Sequence, residues 1–244
     1  RAAGGVRQAT PPFRVQDLGP SRGCGAVATR RICKGEKIWQ EAPLLIVGQG
    51  PSAGGDWSQW EGELRGRVES LSEEGRRSFW ALADSHCAPD GAKSCVGIVR
   101  TNGLPVDLED IPDSVGIYAT VSRFNHSCSH NVNNSWQADE GVEVLHAVRD
   151  IEEGEELCIT YIDLFQTYEQ RQEELMRIFK FQCLCEACRL SEEDRASSDW
   201  RRHRLSQFRE ALPHSATLAE RVVAKMDSLL DDEFGGSPPA TCCA

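Results

Sequence analysis

Cys183-Leu184-Cys185-Glu186-Ala187-Cys188 puts three thiols within six residues. That spacing is too crowded for mutual disulfides but suits thiolates converging on one metal ion. A closed structural zinc site takes four ligands, so one more must come from elsewhere in the chain. Cys128 fits best, because it closes the polar, turn-like segment Arg123-Phe124-Asn125-His126-Ser127-Cys128. Cys158 lies in the apolar run Glu156 to Tyr161 and reads instead as a small buried hydrophobe. The plainer alternative is four free buried thiols. Asn125 can donate and accept, which suits an amino acid or a purine edge. His126 could serve as a base, an orienter, a zinc ligand or a satisfied structural histidine. Tyr161 ends its run beside Ile162-Asp163, where a phenol points into a channel or simply packs in a core.

The elements around these residues are legible from periodicity. Residues 13–47 read as β structure, with a turn at Gly19 to Gly25 and strands at Ala26 to Ala28 and Lys37 to Glu41. Gly48 to Gly55 reads as a flexible loop. Trp57, Trp60, Leu64, Val68, Leu71, Phe79 and Leu82 recur at helical spacing, which predicts two packed helices rather than an aromatic binding platform. A second β-rich region is expected from about 94 to 162, with strands at Val142 to Val148 and Glu156 to Tyr161. Helices are expected at Tyr168 to Phe179, 199–210 and 216–230, after which the Gly/Ser/Pro-rich end reads as frayed. No internal repeat is apparent.

The chain has 244 residues, with 27 basic against 38 acidic side chains and a net charge of −11. That length buries a full core. The acidic balance argues against binding a nucleic-acid backbone and is compatible with a basic, lysine-containing protein partner. The longest apolar run, Ala42 to Val47, is too short to span a membrane. No signal-peptide pattern precedes it, although the chain starts at Arg1 and so reads as trimmed. Eleven cysteines without a secretory context point to a reducing compartment, with Cys242 and Cys243 as loose ends. There is no Gly-x-Ser-x-Gly elbow, no P-loop and no Rossmann fingerprint.

Taken in order, these motifs resemble those of SET-domain protein lysine methyltransferases, most closely the SET-and-MYND (SMYD-type) branch and its fungal relatives. The resemblance covers about residues 17–188. It is carried by Arg22 to Thr29, Arg30 to Glu36, Glu41-Ala42-Pro43, Thr101-Asn102-Gly103, Ser122 to Cys128, Gly154 to Tyr161 and Phe179 to Cys188. It implies an α+β fold of short strands with a knot-like threading, rare among proteins. The implied divisions are a disordered leader at 1–12 and the two SET parts at 13–56 and 94–165, around a helical insert at 57–93. A post-SET zinc segment at 166–190 and C-terminal helices and tail at 191–244 complete them. S-adenosylmethionine would then sit against Arg22, Gly23, Cys24, Gly25, Asn102, Ser122, Asn125 and His126, with Phe181 on its adenine. Tyr161 would be the catalytic tyrosine, with Leu104 and Phe179 lining a lysine channel. Zinc would be held by Cys128, Cys183, Cys185 and Cys188.

The chain departs from that branch in three places. GQGPSAGG stands where the cysteine-rich MYND module is inserted, and no cysteine occurs between Cys33 and Cys87. The C-terminal helical region is reduced to about fifty residues. Phe179 stands where many relatives have tyrosine. The expected activity is methyl transfer to lysine in a histone or other protein, in the nucleus or cytoplasm. The rivals are a catalytically silent SET scaffold and a redox or metal sensor built on the cysteines.

Overall fold

A computed structural model describes residues 10–48, 50–51, 55–108, 110–210 and 226–234. Its strands form three small sheets, and its helices flank them, an α+β arrangement. The first sheet orders β1 (Phe13–Asp17), β2 (Cys24–Ala28), β10 (Glu156–Ile159) and β7 (Asn125–His126). The second places β9 (Val142–Ala147) between β3 (Lys37–Glu41) and β8 (Val132–Gln137). The third places β6 (Ser114–Ile117) between β4 (Leu45–Val47) and β5 (Leu104–Val106).

Strands from distant parts of the sequence meet in the first sheet. β10 runs antiparallel to β2, with Leu157 opposite Ala26, and parallel to β7, with Cys158 opposite Asn125 and Ile159 opposite His126. The parallel pairing requires a crossover connection, here the β8–β9 hairpin. Beneath it, Phe13, Ala26, Ile32, Tyr118, Phe124, Leu145, Leu157 and Ile159 share one apolar core.

The expected helix pair is present as α1 (Trp57–Glu69) and α2 (Glu73–Ala81). Each opens on a side-chain cap. The Asp56 carboxylate accepts the Ser58 and Gln59 N–H groups, and the Ser72 hydroxyl accepts that of Gly75. Leu64, Val68, Phe79 and Leu82 pack with Val47, Ile98 and Ile117 in a second core. Trp60 packs against this core, whereas Trp57 is 44% exposed and meets Trp60 edge-on.

The β-rich region expected from residue 94 begins instead with a helix, α3 (Cys95–Asn102). Ser94 caps it through the Gly97 N–H, and Cys95, Ile98, Val99 and Asn102 are buried at helical spacing. The signal was present in the sequence but short. Eight residues with two β-branched valines also read as strand.

α4 (Tyr168–Phe179) opens with a capping box, Thr167 with Gln170, and ends at Lys180 in the left-handed region with φ of 63°. α5 (Glu192–Glu210) starts seven residues earlier than the predicted helix at 199–210. A helical segment at 226–234 overlaps the end of the one predicted at 216–230, whose first part lies outside the described residues. Residues 1–9, most of the Gly48 to Gly55 loop's centre, and the tail with Cys242 and Cys243 also lie outside them.

Candidate active site and metal centre

The β7–β10 pairing brings the two chemically rich segments together. Ser127 N–H donates to the Ile159 carbonyl at 3.0 Å, and Asn131 N–H donates to that of Cys158 at 3.2 Å. The Asn131 side chain clamps the same strand: its carbonyl accepts from Cys158 N–H at 2.8 Å, and its amide donates to the Glu156 carbonyl at 2.8 Å. Upstream, the Glu41 carboxylate accepts the N–H groups of Ala119, Thr120 and Val121 at 2.9 to 3.1 Å. Burial pushes its pKa up, against those hydrogen bonds. Glu41 thus fixes the turn that leads into Phe124 and Asn125.

A cleft of about 760 Å³ opens beside this junction. Arg22, Gly23, Cys24, Asn102, Ser122, Asn125, His126, Tyr161, Phe179 and Phe181 all line it. Gly25 and Leu104 do not. Gly25 lies just behind the wall, where a Cβ would come within 2.4 Å of Leu18 Cδ1 and 2.8 Å of Asn125 Nδ2. The bare backbone is what lets the Asn125 amide reach Glu156 Oε1 at 2.9 Å. Leu104 is buried in the core under the first sheet.

Glu156 was not singled out by the sequence reading, yet it organises one end of the cleft. Its second oxygen pairs with Arg22 Nη2 at 2.6 Å. The alternation of β10 carries the signal, since Glu156 and Cys158 point to one face and Leu157 and Ile159 to the core. Asn102 is placed differently from what a bare ligand residue would need. Its amide donates to the Ala83 and Ile98 carbonyls at 2.7 Å each, and its own carbonyl accepts from Ser122 Oγ at 3.3 Å. Its side chain therefore holds α3 in place.

The other end of the cleft is aromatic. Tyr161 lies 4.9 Å from Phe179 and 5.5 Å from His126, centroid to centroid, and Phe181 lies 6.1 Å from His126. The Tyr161 hydroxyl donates to the Phe124 carbonyl at 2.7 Å. Burial pushes its pKa up, with Cys158 and Glu156 adding to the effect, so the phenol stays protonated. Burial likewise pushes the Cys158 thiol up to about 12, consistent with the inert small hydrophobe read from the sequence.

Both ring nitrogens of His126 are already engaged within the fold. Nδ1 accepts the Tyr161 N–H at 3.1 Å, and Nε2 lies 3.4 Å from Cys128 Sγ. Accepting at Nδ1 puts the proton of a neutral imidazole on Nε2, facing the sulfur. Only its ring faces and backbone remain for the cleft.

Directly behind, Cys128, Cys183, Cys185 and Cys188 gather with all their sulfurs within 4.8 Å of one another. The Cys128 and Cys188 sulfurs are 3.7 Å apart. A zinc tetrathiolate with bonds of ~2.3 Å has sulfur–sulfur edges of ~3.8 Å. The cluster thus fits a tetrahedral ion, and the fourth ligand predicted from sequence, Cys128, is the one the fold delivers. Within this coupled cluster, hydrogen bonds from Cys128 pull Cys183 and Cys185 toward thiolate, while Cys128 and Cys188 are held toward the thiol. Ile162, Leu164 and Leu175 pack around the four. Gln172 ties α4 to the module, donating to the Cys183 carbonyl at 2.9 Å and accepting its N–H at 3.0 Å.

The family profile described as SET domain matches residues 23–162. Among curated proteins, the chain is 32% identical over 190 residues to the histone-lysine N-methyltransferase set5 of Schizosaccharomyces pombe, covering 78% of this chain and 54% of that one. It is 40% identical over 80 residues to the histone-lysine N-methyltransferase SMYD3 of Homo sapiens, 33% of this chain and 18% of that one. It is 33% identical over 110 residues to the N-lysine methyltransferase SMYD2 of Gallus gallus, 44% of this chain and 25% of that one. The chain thus spans about half the length of the first of these relatives and a quarter or less of the other two. A solved structure, the SET domain of LSMT bound to lysine and AdoHcy, aligns with a TM-score of 0.48 at 15% identity. It covers 73% of this chain and 54% of that one.

Proposed function

From the premise that this chain belongs to the SET-domain family, we propose that it transfers a methyl group from S-adenosylmethionine to the side-chain amine of lysine in a protein. The observation that carries the reading is the meeting in one cleft of a protonated, oriented tyrosine, an aromatic wall and a polar Asn125–Glu156–Arg22 corner. The bound donor would supply an electrophilic methyl group on a sulfonium. Arg22, Gly23, Asn125 and the His126 backbone would hold its polar end, and Phe181 would offer a face to its adenine. Cys24 and Ser122 would add lesser contacts. Asn102 would shape this end through α3 rather than by direct contact, and Leu104 would support the channel from the core.

Methyl transfer needs a neutral amine. At an ordinary lysine pKa of ~10.4, about 0.04% is neutral at pH 7, a cost of roughly 4.6 kcal/mol. A dry channel between Tyr161 and Phe179 lowers that cost by disfavouring the ammonium. Tyr161 cannot act as a base, because its proton is held by burial and committed to the Phe124 carbonyl. That commitment leaves the phenol oxygen's lone pairs free to accept from the amine and the methyl group, which aligns the reacting atoms. His126 is excluded as the base by its two internal partners.

The substrate we propose is a basic, lysine-bearing protein segment, a histone being one member of that class, met in the nucleus or cytoplasm. Nucleic acid is not expected to bind directly. Titration calorimetry with S-adenosylmethionine separates an enzyme from a silent scaffold. Saturable one-to-one binding that weakens in Asn125→Ala supports the reading, and no heat of binding in zinc-replete protein overturns it.

A further inference from the structure

A zinc tetrathiolate carries a net charge of about −2, and a fold that buries one must supply compensating charge. Two guanidiniums lie nearby. Arg202 is 1% exposed but has its own carboxylate, with Nε 2.6 Å from Glu233 Oε1, and Nη1 donates to the Leu164 carbonyl. Arg171 is 0% exposed and is not matched in that way. Its Nη1 donates to the Gln166 carbonyl at 2.6 Å, and the nearest carboxylate, Asp199, stands off at 3.9 Å while accepting the Tyr168 N–H at 2.7 Å. Among the described residues its Nε and Nη2 meet no partner in hydrogen-bond geometry, while the Cys128 sulfur is close enough to act on the guanidinium.

A fully buried guanidinium with two such donors is expensive unless a charged acceptor is at hand. α4 aims Arg171 at one. Gln172, the next residue, is bonded to the Cys183 backbone, and Leu175, one turn on, packs among the four cysteines. Burial works to lower the Arg171 pKa, yet the neighbouring Cys128 and Cys188 sulfurs raise it on balance.

We propose that Arg171 is the built-in counter-cation of the four-cysteine metal site, the N–H groups of Nε and Nη2 donating to the thiolates once zinc holds them deprotonated. The proposal rests on reading the cysteines as a zinc site. It assigns α4 a role beyond packing, as the element that makes the thiolate charge tolerable in a buried setting. Groups of this kind next to a metal typically change its affinity by roughly 10–100-fold when removed.

The test uses the full chain loaded with one equivalent of zinc and challenged with a chromophoric chelator. Arg171→Met keeps the aliphatic stem and removes the charge, and Arg171→Lys keeps the charge. We expect Arg171→Met to release zinc roughly 10–100-fold faster than wild type, and its cysteines to alkylate faster by mass spectrometry. Arg171→Lys should stay nearer wild type on both readouts. The proposal is overturned if Arg171→Met holds zinc as long as wild type, or if Arg171→Lys loses it as fast as Arg171→Met. Should Arg171→Met fail to fold, Arg171→Lys decides alone: near-stoichiometric, slowly released zinc supports the charge role, and rapid loss overturns it. A wild-type chain that takes up no zinc is a separate result, which overturns the metal reading and this proposal with it.

Discussion

In the proposed mechanism, Tyr161 is the residue on which the chemistry turns. Its hydroxyl donates a hydrogen bond to the Phe124 carbonyl, and its ring lies 4.9 Å from that of Phe179. Tyr161→Phe keeps the ring and removes the oriented oxygen. It should lower kcat roughly 100-fold, in the range found for single preorganised polar groups, while zinc content and donor affinity stay near wild type. A single-turnover assay checks this. Because burial raises the Tyr161 pKa, the phenol does not titrate through neutral pH. The rise of kcat/KM with pH should therefore follow the free substrate amine and persist toward pH 10, with no fall from tyrosinate below that. Gly25 gives a second prediction. Gly25→Ala would drive a methyl group to 2.8 Å from Asn125 Nδ2 and 2.4 Å from Leu18. The variant should fold and bind zinc but weaken donor binding by roughly tenfold or more, about 1.4 kcal/mol, read by calorimetry.

At the scale of elements, the parallel β7–β10 pair is the hinge of the account. It places Asn125 and His126 on the cleft and Cys128 on the metal side of the same turn. Removing zinc should therefore do more than loosen residues 183–188. With four buried thiolates repelling until they take up protons, the α4–cysteine segment should lose its packing on Ile162 and Leu164, carrying Phe179 and Phe181 off the cleft. Chelation should abolish donor binding while leaving the helical insert protected from hydrogen exchange, because that insert has its own core. Protection lost uniformly across both cores would contradict this. These elements were largely legible beforehand. Period-two alternation marked β9, the Tyr168-to-Phe179 pattern marked α4, and the cysteine spacing selected Cys128 as the fourth ligand. What stayed hidden had a common cause. Glu156, Glu41, Asn131 and Arg171 act through partners 20 to over 100 residues away, or through backbone groups, and no local pattern reports such pairing. α3 was missed because eight residues with β-branched valines satisfy either period.

For the whole molecule, the net charge of −11 is a statement about partners. Glu155, Glu156 and Glu186 lie along the cleft, with Arg22 and Arg149 engaged to the first two. A basic substrate peptide should be drawn in electrostatically. Its kcat/KM should fall severalfold between low and physiological salt, as the screening length shrinks from ~30 Å to ~8 Å, while kcat holds steady. An unscreened, salt-independent kcat/KM would point to an apolar docking mode instead. Among the described residues no helix is long and apolar enough to cross a membrane. The SET-domain match, residues 23–162, ends just past Tyr161, so it holds Cys128 while Cys183, Cys185, Cys188, α4 and α5 lie beyond it.

The most direct test is to incubate the zinc-replete protein with S-adenosylmethionine labelled on its methyl group and a panel of histones and cell-extract proteins, then locate the label by mass spectrometry. Methyl groups on lysine side chains, made by wild type and sharply reduced with Tyr161→Phe, are the predicted result. No labelled lysine on any protein, or equal labelling by Tyr161→Phe, would contradict the account.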